Sequence, residues 1–121
     1  MRRAPQNLYD FRPVRAARFE VGADGLVAIV VPRFTNRLLV KFLVPRLRAP
    51  DYRVRLDAIG SFVWQQCDGS VTVAEIGARA SVRFGGDAAA MAQRVGDFLA
   101  KMDRERFVAL RARDAAAAAA P

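Results

Sequence analysis

Residues 56–76 read LDAIGSFVWQQCDGSVTVAEI, and this stretch contains two helix starts from which the fold can be worked out. Asp57 is a residue type that caps a helix N-terminus, and its helix would end at the Asp-Gly pair containing Gly69, which supplies a left-handed backbone. The tetrapeptide TVAE has the spacing of a capping box, in which Thr72 and Glu75 each accept a backbone N–H of the other. We therefore predict two consecutive helices.

Two strand patterns before this stretch predict an antiparallel sheet. Residues 17–21 alternate apolar and charged side chains, residues 26–31 are continuously aliphatic, and the GADG between them is typical of a hairpin turn. Residues 52–56 alternate again, which predicts a third, half-buried strand. Its core-facing side chains would be Tyr52, Val54 and Leu56, with Arg53 and Arg55 facing solvent.

A third helix would begin at Asp87 and carry apolar residues at helical spacing. Those residues are Met91, Val95, Phe98, Leu99 and Met102. Residues 107–110 fit either a short final strand or a docked tail. Strands followed by helices form the α+β pattern, so we expect a small three-stranded antiparallel sheet followed by a three-helix bundle, winged helix-turn-helix-like.

The remaining segments are polar, basic or Ala-rich. Residues 1–16 contain two prolines and are expected to form a basic arm outside the core, and residues 111–121 a disordered Ala-rich tail. Residues 33–50 form a basic insertion that fits an amphipathic helix slightly better than a hairpin extension. An insertion of that length would also let the first two strands exchange in a domain-swapped homodimer. The domain itself would cover residues 17–110.

The net charge of +8 is confined to the first half of the chain. Residues 1–55 contain 12 Lys and Arg against 4 Asp and Glu, whereas residues 56–121 contain 8 of each. Such a basic block attracts an acidic partner, which would be a nucleic acid, an anionic membrane or an acidic peptide. A solvated face that keeps the protein soluble explains the same charge.

The residue types that are missing exclude most catalytic chemistry. The chain has no His and one Cys, Cys67, so we expect no catalytic residues, no enzyme activity, no metal site and no cofactor. Cys67 is interpreted as a buried apolar residue rather than a reactive thiol. No apolar run approaches the ~20 residues that span a bilayer, and Arg2 and Arg3 are not followed by the apolar segment of a secretion signal. We therefore expect a cytoplasmic protein, and the abundance of Ala and Arg is associated with GC-rich bacterial genomes.

The pattern LD-x-x-G-x-x-x-W, followed by DG-x-x-TV-x-E-I, resembles the PqqD-like family, which is named for pyrroloquinoline quinone biosynthesis protein D. The resemblance extends through FG at 84–85 and FL at 98–99 and covers residues 17–110. It implies a three-stranded sheet with three helices and a non-catalytic role in peptide recognition. Members hold the leader of a ribosomally made precursor peptide and present it to a modifying enzyme, often a radical-SAM enzyme. The matching residues are Leu56, Asp57, Gly60, Trp64, Asp68, Gly69, Thr72, Val73, Glu75 and Ile76.

Most of these motif residues are interpreted as structural. Trp64 is expected in the core, Gly60 is expected to permit close packing of its helix, and Asp57, Thr72 and Glu75 are caps. The motif therefore identifies the fold and does not by itself mark the binding site.

The resemblance implies that the peptide adds as a strand to the edge of the third strand, beside the third helix. An exposed edge offers unpaired backbone groups, and outward-facing Arg53 and Arg55 would suit carboxylates, so an acidic leader is expected. The candidate peptide-binding residues are Tyr52, Arg53, Val54, Arg55, Arg94, Phe98, Lys101 and Met102. Phe98 and Met102 fit the core equally well.

The alternative function is that of a winged-helix nucleic-acid-binding protein. The net charge and the helix order favour it, but the third helix begins at Asp87 and carries Asp97 and Asp103, so the basic excess lies outside the predicted recognition helix. Membrane docking through residues 33–48 would need a longer apolar face with Trp. We therefore favour a peptide adaptor over a nucleic-acid binder. The basic arm and the insertion depart from the smallest family members, which leaves open whether the pathway is pyrroloquinoline quinone synthesis.

Overall fold

A computed structural model describes residues 7–32 and 51–111, which form five strands and three helices. The predicted α+β class is confirmed. The predicted insertion at 33–50 and nearly all of the predicted tail lie outside the described residues. In chain order the elements are a 3-10 turn (Leu8–Asp10), β1 (Arg12–Arg15), β2 (Arg18–Val21), β3 (Val27–Pro32), β4 (Asp51–Arg55), α1 (Ala58–Gln66), α2 (Val73–Phe84), α3 (Ala88–Arg104) and β5 (Val108–Arg111).

The predicted three-stranded sheet is present, with antiparallel strand order β2-β3-β4. Phe19, Ile29 and Val54 are cross-strand neighbours on the face that packs against the helices. Tyr52 lies on that same face, as predicted, but the residue is 45% exposed, so the prediction that it belongs to the core is wrong. It sits near the end of the sheet, where the residue opposite it, Val31, is also only half buried.

The hairpin between β2 and β3 closes through the turn residues that the sequence indicates. The Gly22 N–H donates to the Leu26 carbonyl at 2.9 Å, and Gly25 takes a left-handed backbone with φ of +81°. Glycine adopts that conformation without the steric cost that a side chain would impose.

The prediction that residues 1–16 form an arm outside the core is wrong for the part that the structure describes. β1 pairs antiparallel with β5 in a second, two-stranded sheet, and Pro13 is fully buried. This pairing also decides that the C-terminal residues form a strand rather than a docked tail. The polar sequence of β1 is explained by its position, because Arg12 and Arg15 use their guanidinium groups to bind loop and helix carbonyls.

β1 also holds the connection between α1 and α2 in place. The Arg15 N–H donates to the Cys67 carbonyl, the Gly69 N–H to the Pro13 carbonyl, and the Val73 N–H to the carbonyl of Phe11, just before β1, each at 2.9 Å. The Arg15 guanidinium adds bonds of 3.1 Å to the Trp64 and Gln65 carbonyls in the last turn of α1, where the helix no longer supplies partners four residues on. The N-terminal segment is therefore an integral part of the fold.

Each helix begins at the predicted cap. The Asp57 side chain accepts from the Gly60 N–H at 2.7 Å, and the Asp87 side chain accepts from the Ala90 N–H at 2.8 Å. The capping box is complete: Thr72 Oγ1 accepts from the Glu75 N–H at 3.1 Å, and the Glu75 carboxylate accepts from the Thr72 N–H at 2.8 Å.

The core lies between the three-stranded sheet and the helices. Trp64 is fully buried, and its ring meets Phe19 edge-on with the ring centroids 5.7 Å apart. Within the described residues, Trp64 Nε1 has no hydrogen-bond partner. The other fully buried large side chains include Ile29, Ile76 and Leu99, one from the sheet and one from each of α2 and α3.

Candidate functional site

The candidate site begins at the edge of the three-stranded sheet. β4 pairs with β3 on one side, and no other described strand pairs with its opposite edge. The Leu56 N–H donates to the Val27 carbonyl of β3 at 2.9 Å. Because bonding directions alternate along an antiparallel strand, the N–H and C=O groups of Arg53 and Arg55 point away from β3. These backbone groups are the ones that an added strand would bind.

The outer face of the sheet carries ion pairs between strands that are not neighbours. Arg53 Nε and Nη2 donate to the two carboxylate oxygens of Glu20 at 2.8 and 2.9 Å, across β3. Arg18 and Asp51 form a longer pair at 3.5 Å. The hydrogen bonds from Arg53 lower the pKa of Glu20, and the same contact raises the pKa of Arg53. Arg53 therefore faces outward as predicted but already has a carboxylate partner, whereas Arg55 is exposed beside it.

A groove of about 200 Å³ lies between α1 and α3, next to the point where the chain leaves β4. An ion pair at its margin joins Arg94 Nη2 to Asp57 Oδ2 at 3.6 Å. A Cβ at Gly60 would lie 3.1 Å from Asp57 Oδ1, which is tight, and 3.4 Å from Phe98 Cε1, an ordinary van der Waals distance, so Phe98 packs against α1 at this position. The groove is lined by Asp57, Ile59, Gly60, Val63, Arg94, Val95 and Phe98.

The structure brings together part of the predicted helical half of the site. Arg94 is exposed and Phe98 half buried, and both line the groove, while Lys101 is exposed one turn further along the same side of α3. Met102 is only 4% exposed and belongs to the core, so it does not line the groove. The sequence left open whether Phe98 and Met102 belong to the binding site or to the core. In the structure Phe98 lines the groove, and Met102 belongs to the core.

The predicted residues of β4 are also divided. Val54 is half buried and packs against the core, and the exposed Tyr52 stands at the start of the strand. Three groove residues, Ile59, Val63 and Val95, were not among the candidate site residues. Their apolar spacing on two helices indicates core positions. They line the groove only because of the way in which α1 packs against α3.

Cys67, the one thiol in the chain, is buried. Burial raises the pKa of the Cys67 thiol to about 12, and its Sγ donates to the Val63 carbonyl at 3.2 Å. No group of three or more His, Cys, Asp or Glu able to hold a metal ion occurs in residues 7–32 and 51–111. No helix in this same part of the chain is long and apolar enough to cross a membrane.

A comparison with protein families matches residues 48–108 to the family described as Coenzyme PQQ synthesis protein D (PqqD). The matched segment runs from just before β4 to the first residue of β5, so it includes the open edge and the whole α1–α3 groove. A search of curated proteins finds no match to the chain.

Proposed function

Because the chain belongs to the PqqD family, we propose that it is a non-catalytic peptide adaptor that holds the leader of a ribosomally made precursor peptide and presents it to a modifying enzyme. The family description suggests PQQ synthesis as the pathway, and a radical-SAM enzyme is the partner class that the resemblance implies. The observation that carries the proposal is the open edge of β4, which lies beside the groove between α1 and α3.

An added strand would bind through both its backbone and its side chains. Its main chain would pair with the edge-facing groups of Arg53 and Arg55. Because side chains alternate across a strand, one set would lie on the outer face near these two guanidinium groups. The other set would face the groove, where Phe98 offers an apolar wall and Arg94 a positive charge. The groove volume suits one apolar side chain, and acidic residues suit the outer face.

The experiment separates backbone pairing from charge at a single position. Arg53→Pro removes an N–H that points to the open edge, whereas Arg53→Gln removes the charge and keeps the N–H. Because that N–H makes no bond to β3, proline is tolerated here as it is on natural edge strands. Both variants lose the Glu20 pair, so the comparison between them isolates the backbone bond.

We expect the leader of the precursor peptide encoded nearest to this gene to bind the Gln variant clearly, and the Pro variant roughly tenfold more weakly, the equivalent of about 1.4 kcal/mol. Affinity is measured by calorimetry, and amide chemical shifts should change in β4 and along the exposed side of α3. Urea unfolding of both variants serves as the control for folding. Equal affinities, or shifts confined to α2, would place the peptide elsewhere.

Duplex DNA tests the nucleic-acid alternative on the same protein. We expect DNA to bind more weakly than the leader at physiological salt. Tighter DNA binding with a steep salt dependence, the signature of counterion release, would favour a nucleic-acid-binding protein instead.

A further inference from the structure

A second groove lies between α1 and α2, on a part of the surface that the peptide-binding proposal does not use. Its volume is about 580 Å³, and it shares no lining residue with the α1–α3 groove. The residues that line it are Phe62, Gln66, Ala78, Arg79, Val82 and Arg83.

The α1–α2 groove is shallow and its surface is mostly apolar, with Phe84 beside it. Val82 on α2 is 89% exposed, the most of any large apolar residue among those described, and Phe84 two residues later is 37% exposed. The Phe84 ring meets Phe62 of α1 edge-on, with the centroids 5.6 Å apart, so the apolar surface continues from one helix to the other. Single exposed apolar residues are ordinary, but a continuous apolar surface with a polar border is typical of an interaction site.

The border of this groove is basic, and each of its two arginines contacts a neighbouring side chain. Arg79 Nη1 donates to Gln66 Oε1 at 2.7 Å, and the Arg83 guanidinium lies 6.0 Å from the centre of the Phe84 ring. The acidic residue one turn before Arg79 is Glu75, whose carboxylate is engaged in the capping box. A second copy of this chain would bring the same two cations to the interface, so charge complementarity favours a different protein with carboxylates beside an apolar stripe.

We propose that the α1–α2 groove binds an acidic amphipathic helix of a partner protein. The apolar stripe of that helix would lie on Phe62 and Val82, and carboxylates one turn apart would pair with Arg79 and Arg83. The inference rests on the proposed function in one respect: the partner would be the protein that receives the bound peptide. Because the two grooves share no residue, that partner could dock while a leader occupies β4.

The test uses two matched synthetic helices as probes. Both have 18 residues with Leu at helical spacing on one face, and one carries Glu on the flanks of that face where the other carries Lys. We expect the Glu helix to bind saturably and to shift the amides of residues 62–66 and 78–84. The Lys helix should bind at least tenfold more weakly. Equal binding of the two helices, shifts confined to β4 and α3, or no saturation at millimolar Glu helix would each overturn the proposal.

Variants then assign the binding to the groove. Val82→Asp should weaken binding of the Glu helix at least tenfold, since it places a carboxylate on the apolar surface, while Val21→Asp on β2, also an exposed position at 51%, should leave it unchanged. Combining Arg79→Glu with Arg83→Glu should reverse the preference, so that the Lys helix binds better. A preference that does not reverse would contradict the pairing.

Binding of the leader peptide, measured in parallel, keeps the two proposals distinguishable. Val82→Asp should not change affinity for the leader. Helix binding that survives in a protein unable to bind any leader would leave the α1–α2 groove assigned and remove only the adaptor function.

Discussion

At the scale of single residues, Cys67 has the most nucleophilic kind of side chain in the sequence, but its position in the fold makes it unreactive. It is fully buried at the end of α1, and desolvation raises the pKa of its thiol to about 12 despite the nearby charge of Arg15. Since the thiolate is the nucleophile, the folded protein holds almost none of the reactive form at neutral pH.

We therefore expect Cys67 to resist alkylation by iodoacetamide at pH 8 in the folded protein and to react completely after unfolding in urea. Mass spectrometry of the two samples measures the difference directly. Rapid modification without urea would mean that the end of α1 opens in solution, in conflict with the burial of this side chain.

At the scale of elements, the start of α2 depends on the reciprocal bonds of Thr72 and Glu75. Thr72→Ala removes an acceptor for a helix N–H, and such changes cost about 0.5–2 kcal/mol. We expect the free energy of unfolding, measured by urea titration, to fall within that range. An unchanged midpoint would show that the capping box does not stabilise this helix in solution.

The capping box also predicts a pH dependence. The Thr72 N–H, as the largest cause, lowers the pKa of Glu75 below its ordinary value of 4.5. The contribution of the carboxylate is therefore complete above pH 4.5 and is lost as the pH falls through the lower folded value. Glu75→Gln should be less stable than the parent at pH 7, and the difference should disappear in acid. A difference that persists at low pH would mean that charge is not its source.

Helix starts could be predicted because their determinants lie within a few residues of one another. Thr72 and Glu75 satisfy each other locally, whatever the rest of the chain does. The groove between α1 and α3 could not be predicted in the same way, because it depends on the packing of Phe98 against Gly60, and these residues come from different helices. Sequence periodicity assigns Phe98 and Met102 to one apolar stripe, and only packing separates them.

At the scale of the whole molecule, the pairing of β1 with β5 joins segments almost a full chain length apart, for example Arg12 with Arg111. Nothing local indicates this contact. β1 has only four residues, three of them partly exposed, and a polar sequence with one proline. Sequence reasoning therefore predicted an arm, although Pro13 is buried and the loop after α1 depends on the β1 backbone.

Deleting residues 1–16 tests whether this segment is a dispensable arm or an integral strand of the fold. Removing an arm would change the stability little. Loss of β1 removes several backbone hydrogen bonds, each worth about 1 kcal/mol, and exposes core residues that β1 packs against. We expect the truncated chain to unfold at a much lower temperature, or without a cooperative transition, when followed by circular dichroism. A synthetic peptide of residues 1–16 should restore part of the lost stability. An unchanged melting temperature would restore the arm interpretation.

The antiparallel match of Arg12 with Arg111 also makes the domain easy to transplant. The first and last strands of the described residues, β1 and β5, lie side by side and contribute no residue to the β4 edge or to either groove. A domain whose first and last strands are neighbours can be inserted into a surface loop of a larger protein without stretching its core. Grafted in this way onto an unrelated enzyme, it would carry both grooves along as a portable module.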